Sequence, residues 1–119
     1  MKKTLVIGAS ANPQRYSYIA TNLLSEYNHE VIPFGNKMGF IEEHQIVTNF
    51  PKSTDFDTVT LYLNESLQKE YYEKIIALKP RRVIFNPGTE NHTFMEMLNK
   101  EGIQTLEACT LVMLRTNQF

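Results

Sequence analysis

The residues best placed to do chemistry stand in a short turn near the start of the chain, between Gly8 and Pro13. The four residues before this turn, Thr4–Ile7, are apolar or β-branched, and the residues after Pro13 carry apolar side chains at helical spacing. The pattern therefore predicts a strand, a tight turn and a helix. Such a turn presents free backbone N–H groups and the positive end of a helix dipole, which suit a phosphate or diphosphate group.

The turn only half matches the glycine fingerprint of dinucleotide-binding proteins. That fingerprint has glycines at its first, third and sixth positions, where this chain has Gly8, Ser10 and Pro13. Gly8 suits the sharp turn and Ser10 adds a hydroxyl to its N–H, but Pro13 fixes its own φ and donates no hydrogen bond. We therefore expect a stiffer loop with a smaller anion-binding nest. A βα turn without any ligand is the alternative.

The residues that follow the second predicted strand indicate which class of nucleotide the chain could bind. This strand is predicted at Glu30–Phe34 and is followed by Gly35, Asn36 and Lys37. A site for NAD usually has an Asp or Glu at this corner to bind the ribose hydroxyls, and this chain has no acid there before Glu42. A lysine suits a ribose that carries a phosphate, as in coenzyme A or NADP. The alternative is that Lys37 is a solvent-exposed loop residue.

No set of residues has the spacing of a catalytic or metal-binding cluster. His29, His44 and His92 stand far apart, and each is expected to be solvated or hydrogen-bonded locally. Cys109 is the one candidate nucleophile, because it follows the last predicted strand, where a helix start would activate its thiol. The alternative is a small buried apolar residue, since free cysteines are among the most buried residues. The sequence therefore predicts no catalytic residue and no metal site.

Alternating strands and amphipathic helices position these residues. This order demands a parallel sheet with helices on both faces and right-handed crossovers. We therefore predict a doubly wound, mostly parallel α/β fold (Rossmann-like) in a single domain over residues 1–119, with ligands bound beyond the carboxyl ends of the strands. The predicted strands are 4–7, 30–34, 45–48 (short or peripheral), 57–63, 82–85 and 103–106, and the predicted helices begin after Pro13, after Asn64, after Asn91 and at Ala108.

The composition limits the classes of function. A formal net charge of -1 gives no sign of a nucleic-acid or anionic-membrane partner, and no apolar run has the length of a membrane span. The start of the chain lacks the apolar core of a signal peptide, so a cytoplasmic protein is expected. A single cysteine excludes an internal disulfide. These features leave a small-molecule nucleotide as the expected ligand, with a homo-oligomer or a partner protein as open possibilities.

Three segments of the chain carry a resemblance to a known family: Val6–Pro13, Gly35–Lys37 and Phe85–Asn91. Together they resemble the small single-domain coenzyme A-binding proteins, which share a fold with the nucleotide-binding domain at the start of the succinyl-CoA synthetase alpha subunit. The resemblance covers essentially the whole chain, although the loop after Leu63 lacks the proline-containing turn common in the synthetase domain. In the synthetases the catalytic phosphohistidine and the acyl chemistry depend on other domains.

The resemblance implies that the chain binds coenzyme A, or an acyl-CoA, without catalysis and in a regulatory or accessory role. The alternatives are an enzyme, either an NADP-dependent oxidoreductase or a thiol-dependent enzyme that handles acyl-CoA through Cys109, and an oligomeric scaffold with an unused pocket. The implied contacts are Gly8, Ala9, Ser10, Asn12 and Arg15 with the diphosphate, Tyr16 and Ser17 at the helix start beneath it, Asn36 and Lys37 with the phosphorylated ribose, Asn64 with the adenine, and Asn86, Pro87 and Gly88 with the pantetheine arm.

Overall fold

The computed structural model describes residues 1–119, and a parallel sheet of five strands lies at its centre. In chain order the strands are β1 (Thr4–Ile7), β2 (Val31–Phe34), β3 (Phe40–Ile41), β4 (His44–Gln45), β5 (Thr58–Leu61), β6 (Arg82–Phe85) and β7 (Gln104–Glu107). The order across the sheet is β2-β1-β5-β6-β7, and β3 and β4 form a separate antiparallel hairpin. The three central strands are buried along their whole length, as expected for a sheet that is covered on both faces.

Helices cover both faces of this sheet. They are α1 (Tyr16–Glu26), α2 (Glu65–Gln68), a 3₁₀ turn at Lys69–Tyr71, α3 (Tyr72–Leu78), α4 (His92–Lys100) and α5 (Thr110–Arg115). Helices α1 and α5 pack against each other on one face, and α3 and α4 lie on the other. The longest of them, α1, has 11 residues, and no helix has the length and apolar character needed to cross a membrane.

Alternate residues of β1 supply the two layers of the core. Leu5 and Ile7 belong to the cluster that includes Phe94 of α4, whereas Val6 belongs to the cluster that includes Leu24 of α1 and Leu114 of α5. This alternation holds the sheet between two layers of helices. The prediction of a doubly wound, mostly parallel α/β fold is thus confirmed.

The strand bounds agree with the sequence pattern to within two residues at each end, except around residues 45–48. The strand predicted there divides into two parts: residues 44 and 45 form the hairpin strand β4, and Val47 makes a single parallel bridge to Phe34. The strand predicted at 57–63 is shorter, Thr58–Leu61. Pro33 lies inside β2 and is tolerated because β2 is an edge strand, so the missing N–H interrupts no ladder within the sheet.

Candidate functional site

A groove of about 550 Å³ lies along the carboxyl edge of the sheet, above the ends of β1 and β5. The chain leaves β1 for α1 on one face and leaves β5 for α2, which leads into α3 on the other face, so the two helix starts diverge. Such a point, where the direction of winding reverses, is the usual ligand crevice of an open α/β sheet. The groove is lined by residues 8–10, 15–17, 34–36, 62–64, 67, 70, 71 and 87–89.

The loop after β1 supplies backbone donors to this groove. The N–H groups of Gly8 and Ala9 are not free, because both donate to the carbonyl oxygen of Phe34, at 3.0 and 2.9 Å. The N–H groups of Ser10 and Ala11 make no hydrogen bond within the chain. Free N–H donors were expected from Gly8 onward, but in the structure they begin at Ser10, two residues later.

The side chains of the same loop fix its shape. The hydroxyl of Ser10 accepts a hydrogen bond from the N–H of Asn12 at 3.1 Å, and the Oδ1 of Asn12 accepts one from the N–H of Gln14 at 3.0 Å. The carbonyl oxygen of Asn12 accepts a further bond from the N–H of Arg15, at 3.0 Å. These local turns lead the chain into α1 with Ser10 and Arg15 on the groove wall.

The start of α1 is open toward the groove. Arg15 occupies the N-cap position, but no side chain caps the helix and its first turn holds no acidic residue. The N–H groups of Tyr16 and Ser17 have no partner within the chain. Tyr16 is 71% exposed and Ser17 is 3% exposed, and both line the groove. An uncapped helix start with free N–H groups attracts an anion.

Two glycines allow the loops of this edge to approach closely. Gly8 has φ +95°, and a Cβ atom there would lie 3.0 Å from the carbonyl carbon of Tyr62. A Cβ atom on Gly35 would lie only 2.5 Å from the carbonyl oxygen of Ala9. The sequence predicted that the turn at Gly8 needs a glycine. Gly35 is needed for a different reason, because two loops that are distant in the sequence meet there.

Lys37 lies on a second, adjoining groove of about 380 Å³. The two grooves share Ala9, Ser10 and Asn36, so the loop after β1 separates them. Asn12 and Lys37 line the second groove and not the first. The predicted ribose-phosphate residues therefore lie next to the predicted diphosphate loop. Asn36 lines both grooves, and Lys37 lies on the second groove only.

Asn64 and Asn86 differ in how they meet the main groove. Asn64 lines it and also caps α2, since its Oδ1 accepts a hydrogen bond from the N–H of Leu67 at 3.2 Å. Asn86 is 2% exposed and lies beneath the groove; its Nδ2 donates to the carbonyl of Leu61 at 2.9 Å and its Oδ1 accepts from the N–H of Thr110 at 2.8 Å. The side chain of Asn86 is thus used by the fold, while its neighbours Pro87 and Gly88 do line the groove.

Several groove residues were not singled out from the sequence. Leu67 and Tyr71 fit a helical apolar stripe, yet Leu67 is 51% exposed and both line the groove. Burial, together with the nearby charge of Glu70, raises the pKa of Tyr71. The other lining residues to which the sequence assigned no contact are Phe34, Gly35, Tyr62, Leu63, Glu70 and Thr89.

The floor of the groove includes an unusual phenol at Tyr62. Its hydroxyl is buried beside the hydroxyls of Thr60 and Thr110 but makes no hydrogen bond of good geometry. Burial raises the pKa of Tyr62 to about 12, against smaller opposing effects of the two threonines. This phenol therefore stays protonated and does not serve as a base near neutral pH.

The remaining candidates for chemistry lie apart from the groove. Cys109 is half-buried directly before α5 and lines neither groove. His29 accepts a hydrogen bond from the N–H of Lys2 at 2.9 Å. His44 lies 3.3 Å from the carboxylate of Glu43, and no three His, Cys, Asp or Glu side chains come together as a metal site would require. The groove itself contains Arg15 and Glu70 as its charged residues.

Comparisons with known proteins show the same fold and identify the family. A crystal structure described as an uncharacterized protein is 46% identical, with a TM-score of 0.97 over 100% of this chain and 98% of its own. A protein from Thermus thermophilus (20% identity, TM-score 0.82, 99% of this chain and 91% of its own) and a hypothetical protein from Pyrococcus horikoshii OT3 (22%, 0.85, 97% and 82%) share the fold. No curated protein matches the sequence. The family model described as a CoA binding domain matches residues 2–115, and the chain therefore belongs to this family.

Proposed function

We propose that this chain binds coenzyme A, free or acylated, along the carboxyl edge of its sheet, and that it does so without catalysis in a regulatory or accessory role. Membership of the CoA binding domain family supports the ligand in general terms. The assignment of residues to parts of the ligand, and the lack of catalysis, are our own inferences from the geometry.

The free N–H groups around the start of α1 carry the proposal. Ser10, Ala11, Tyr16 and Ser17 each have an unpaired backbone N–H, and Arg15 adds a full positive charge on the same wall. A diphosphate needs several donors and positive charge in one place, and a helix start supplies both. The diphosphate of coenzyme A would lie at this loop, where the two grooves meet.

Lys37 supports a ribose that carries an extra phosphate. It is exposed on the second groove, which it shares with Asn36 and the diphosphate loop. An exposed ammonium gains little from the fold but makes a charge-assisted hydrogen bond with a phosphate. The 3′-phosphate of coenzyme A is therefore the expected partner of Lys37.

The rest of the main groove suits the adenine and the pantetheine arm of coenzyme A. On the side of β2, Asn64 and the exposed face of Leu67 lie with Tyr71, which packs edge-on against Phe34 at 5.5 Å between ring centroids. A flat apolar base fits such a wall. On the other side, the backbone of Pro87 and Gly88 would border the pantetheine arm.

The lack of catalysis is inferred from the groups that face the ligand. Neither a histidine nor the cysteine lines either groove, whereas acyl transfer through an acyl-enzyme needs a nucleophile beside a base. Glu70 is the one carboxylate on the groove and has no second carboxylate beside it there. Binding is thus the function that these residues support best.

The proposal is tested by ligand-induced changes in the melting temperature. A ligand that binds only the folded state raises its stability. We expect coenzyme A and acetyl-CoA to raise the melting temperature more than NADP or NAD does. 3′-Dephospho-CoA, which lacks the ribose phosphate, isolates the contribution of Lys37. In the wild type it should bind about tenfold more weakly than coenzyme A, the loss expected for one charge-assisted hydrogen bond.

Lys37→Ala gives the decisive comparison. This variant should bind coenzyme A and dephospho-CoA with nearly equal affinity, whereas Lys100→Ala, which removes an exposed lysine at the end of α4, should keep the wild-type difference. A rise in melting temperature with NADP alone would favour the oxidoreductase. No rise with any nucleotide would favour a scaffold whose groove is unused.

A further inference from the structure

The buried amide of Gln68 joins the two walls of the main groove. Gln68 is the last residue of α2 and is 1% exposed. Its Nε2 donates one hydrogen bond to the carbonyl of Leu63 at 2.9 Å and another to the carbonyl of Thr89 at 2.7 Å. Leu63 follows β5 and Thr89 follows β6, and both line the groove.

No backbone hydrogen bond connects these two wall segments. The N–H of Thr89 donates within its own turn, to Asn86 at 2.9 Å, and the N–H of Tyr62 donates to Ile7 in β1 at 2.8 Å. The carboxamide of Gln68 therefore bridges the loop after β5 and the loop after β6, above the bond that Asn86 makes to the carbonyl of Leu61 at the ends of these strands. Its two donors end on carbonyl groups that accept no other hydrogen bond within the chain, and the bond to Thr89 is buried while the bond to Leu63 is partly buried.

Asn91 fixes the orientation of this amide. The Nδ2 of Asn91 donates to the Oε1 of Gln68 at 3.0 Å and to the hydroxyl of Tyr72 at 2.7 Å. The Oδ1 of Asn91 must face the N–H of Phe94, which it caps at 3.0 Å, so its NH₂ group must face Gln68. Gln68 in turn must present its oxygen to Asn91 and both of its donors to the walls.

We propose that Gln68 is a positioning residue that sets the separation of the groove walls and thereby the affinity for coenzyme A. The proposal rests on the function proposed above. Because Gln68 is buried behind the wall, it acts on the ligand through the positions of Leu63 and Thr89 and touches no part of it. A fully satisfied buried network of this kind is rigid, and a missing donor leaves two carbonyls unpaired.

Gln68→Glu keeps the shape of the side chain and removes its donors. An ionised carboxylate facing two carbonyl oxygens repels both, whereas a protonated one donates a hydrogen bond to one of them. The variant should therefore bind coenzyme A at least about tenfold more weakly than the wild type at pH 8, and the ratio of the two affinities should narrow at pH 5.5. Because ionisation of the buried carboxylate also lowers the stability of the variant, urea unfolding at both pH values establishes that it is folded in each titration, and only then does the pH-dependent ratio report the walls of the groove. The other titratable groups nearby are the phenol of Tyr72, the carboxylate of Glu70 on the groove and the carboxylate of Glu90, which accepts the N–H of Gly88. All three are present in both proteins, so the wild type is the reference for their titration at each pH.

Thr58→Val is the matched control. Thr58 is fully buried at the opposite edge of the sheet, where its hydroxyl accepts a hydrogen bond from the Nε of Arg82 at 2.8 Å. This variant also loses a buried polar contact and should melt at a lower temperature, but its affinity for coenzyme A should stay within about twofold of the wild type. The ratio of the wild-type affinity to the affinity of Thr58→Val should be the same at pH 8 and pH 5.5.

Calorimetric titration with coenzyme A at both pH values separates the possible outcomes. If the wild type binds and Gln68→Glu behaves as Thr58→Val does, the positioning role is wrong and the proposed function stands. If the wild type does not bind coenzyme A, both proposals fail. Asn91→Ser provides a second variant should Gln68→Glu not fold, because serine still caps α4 but no longer orients Gln68. It should weaken binding in the same direction, and unchanged affinity would overturn the inference.

Discussion

At the scale of single residues, the tightest constraint at the groove is the contact between Gly35 and Ala9. Gly35→Ala would bring a Cβ atom to 2.5 Å from the Ala9 carbonyl oxygen, and because that oxygen belongs to the backbone, the loop itself must move. Overpacking of this kind costs about 1–3 kcal/mol. We expect urea unfolding to show a loss of stability in that range. The displaced loop should also weaken binding of coenzyme A, because Ala9 and Ser10 separate the two grooves.

Gly39→Ala is the matched control for this prediction. A Cβ atom on Gly39 would meet only side chains, the Cβ of Ala11 at 3.1 Å and the Cδ1 of Ile46 at 3.7 Å. Its cost should therefore be smaller, and part of it is offset because alanine restricts the unfolded chain. Equal stability of Gly35→Ala and the wild type would contradict the close approach of these loops.

At the scale of elements, the starts of α1 and α2 differ in how their N–H groups are satisfied. Helix α2 is capped by its own Asn64 and has Glu65 in its first turn. Helix α1 has neither a side-chain cap nor an acid in its first turn. A helix without a side-chain cap or an acid in its first turn leaves its first N–H groups free to bind an acceptor outside the helix. The start of α1 faces the groove. Of these two helix starts, only that of α1 leaves uncapped N–H donors at the groove.

Substitutions at Asn64 separate its cap from its place on the groove. Asn64→Ala removes the cap of α2 and should cost about 1 kcal/mol of stability. Asn64→Asp keeps the cap and favours the helix dipole, so its stability should equal that of the wild type. The new carboxylate on the groove wall should nevertheless weaken coenzyme A binding by about tenfold, by repulsion of the phosphates. Urea unfolding and calorimetry check the two effects, and unchanged affinity of Asn64→Asp would rule out a ligand beside Asn64.

Residues 65–78 show a break in a helix that the spacing of apolar residues does not predict. Leu67, Tyr71, Ile75 and Leu78 have the spacing of one helical face, which predicts a single amphipathic helix. The chain instead forms α2, a 3₁₀ turn and α3, so only Ile75 and Leu78 enter the core while Leu67 turns to the groove. Spacing alone cannot locate such a break, because a 3₁₀ turn changes the direction of side chains without changing their order.

At the scale of the whole molecule, the sequence predicted which edge of the sheet carries the main groove. The carboxyl ends of parallel strands meet at one edge, so residues that follow different strands, such as Ser10, Asn64 and Gly88, had to come together. The sequence could not predict that the N–H groups of Gly8 and Ala9 are used by Phe34, or that Asn86 is buried beneath the groove. Those facts depend on contacts between distant loops.

The opposite edge of the sheet is occupied by charges that serve the fold. Lys3 pairs with Asp55 at 2.9 Å, and Arg81 pairs with Asp57 at 2.9 Å. Burial raises the pKa of Asp57, but the hydrogen bonds from Arg81 and Thr58 outweigh it and hold the pKa below its usual range. Exposed ion pairs of this kind add little stability. The groove and these charges are thus separated by the length of the strands.

His29, at this second edge, should make the stability of the whole domain depend on pH near neutrality. Burial, and then nearby positive charges that include Lys2 and Arg82, lower the pKa of His29, whose neutral Nδ1 accepts the N–H of Lys2. The unfolded chain therefore takes up a proton more readily. Stability is complete above about pH 6.5 and is lost as the pH falls through the folded pKa. His29→Asn keeps an acceptor without a titrating group, so its free energy of unfolding, measured in urea between pH 8 and pH 5.5, should fall less than that of the wild type. Its affinity for coenzyme A should not change, because the groove lies at the other edge. Equal slopes for the two proteins would show that another group controls this pH dependence.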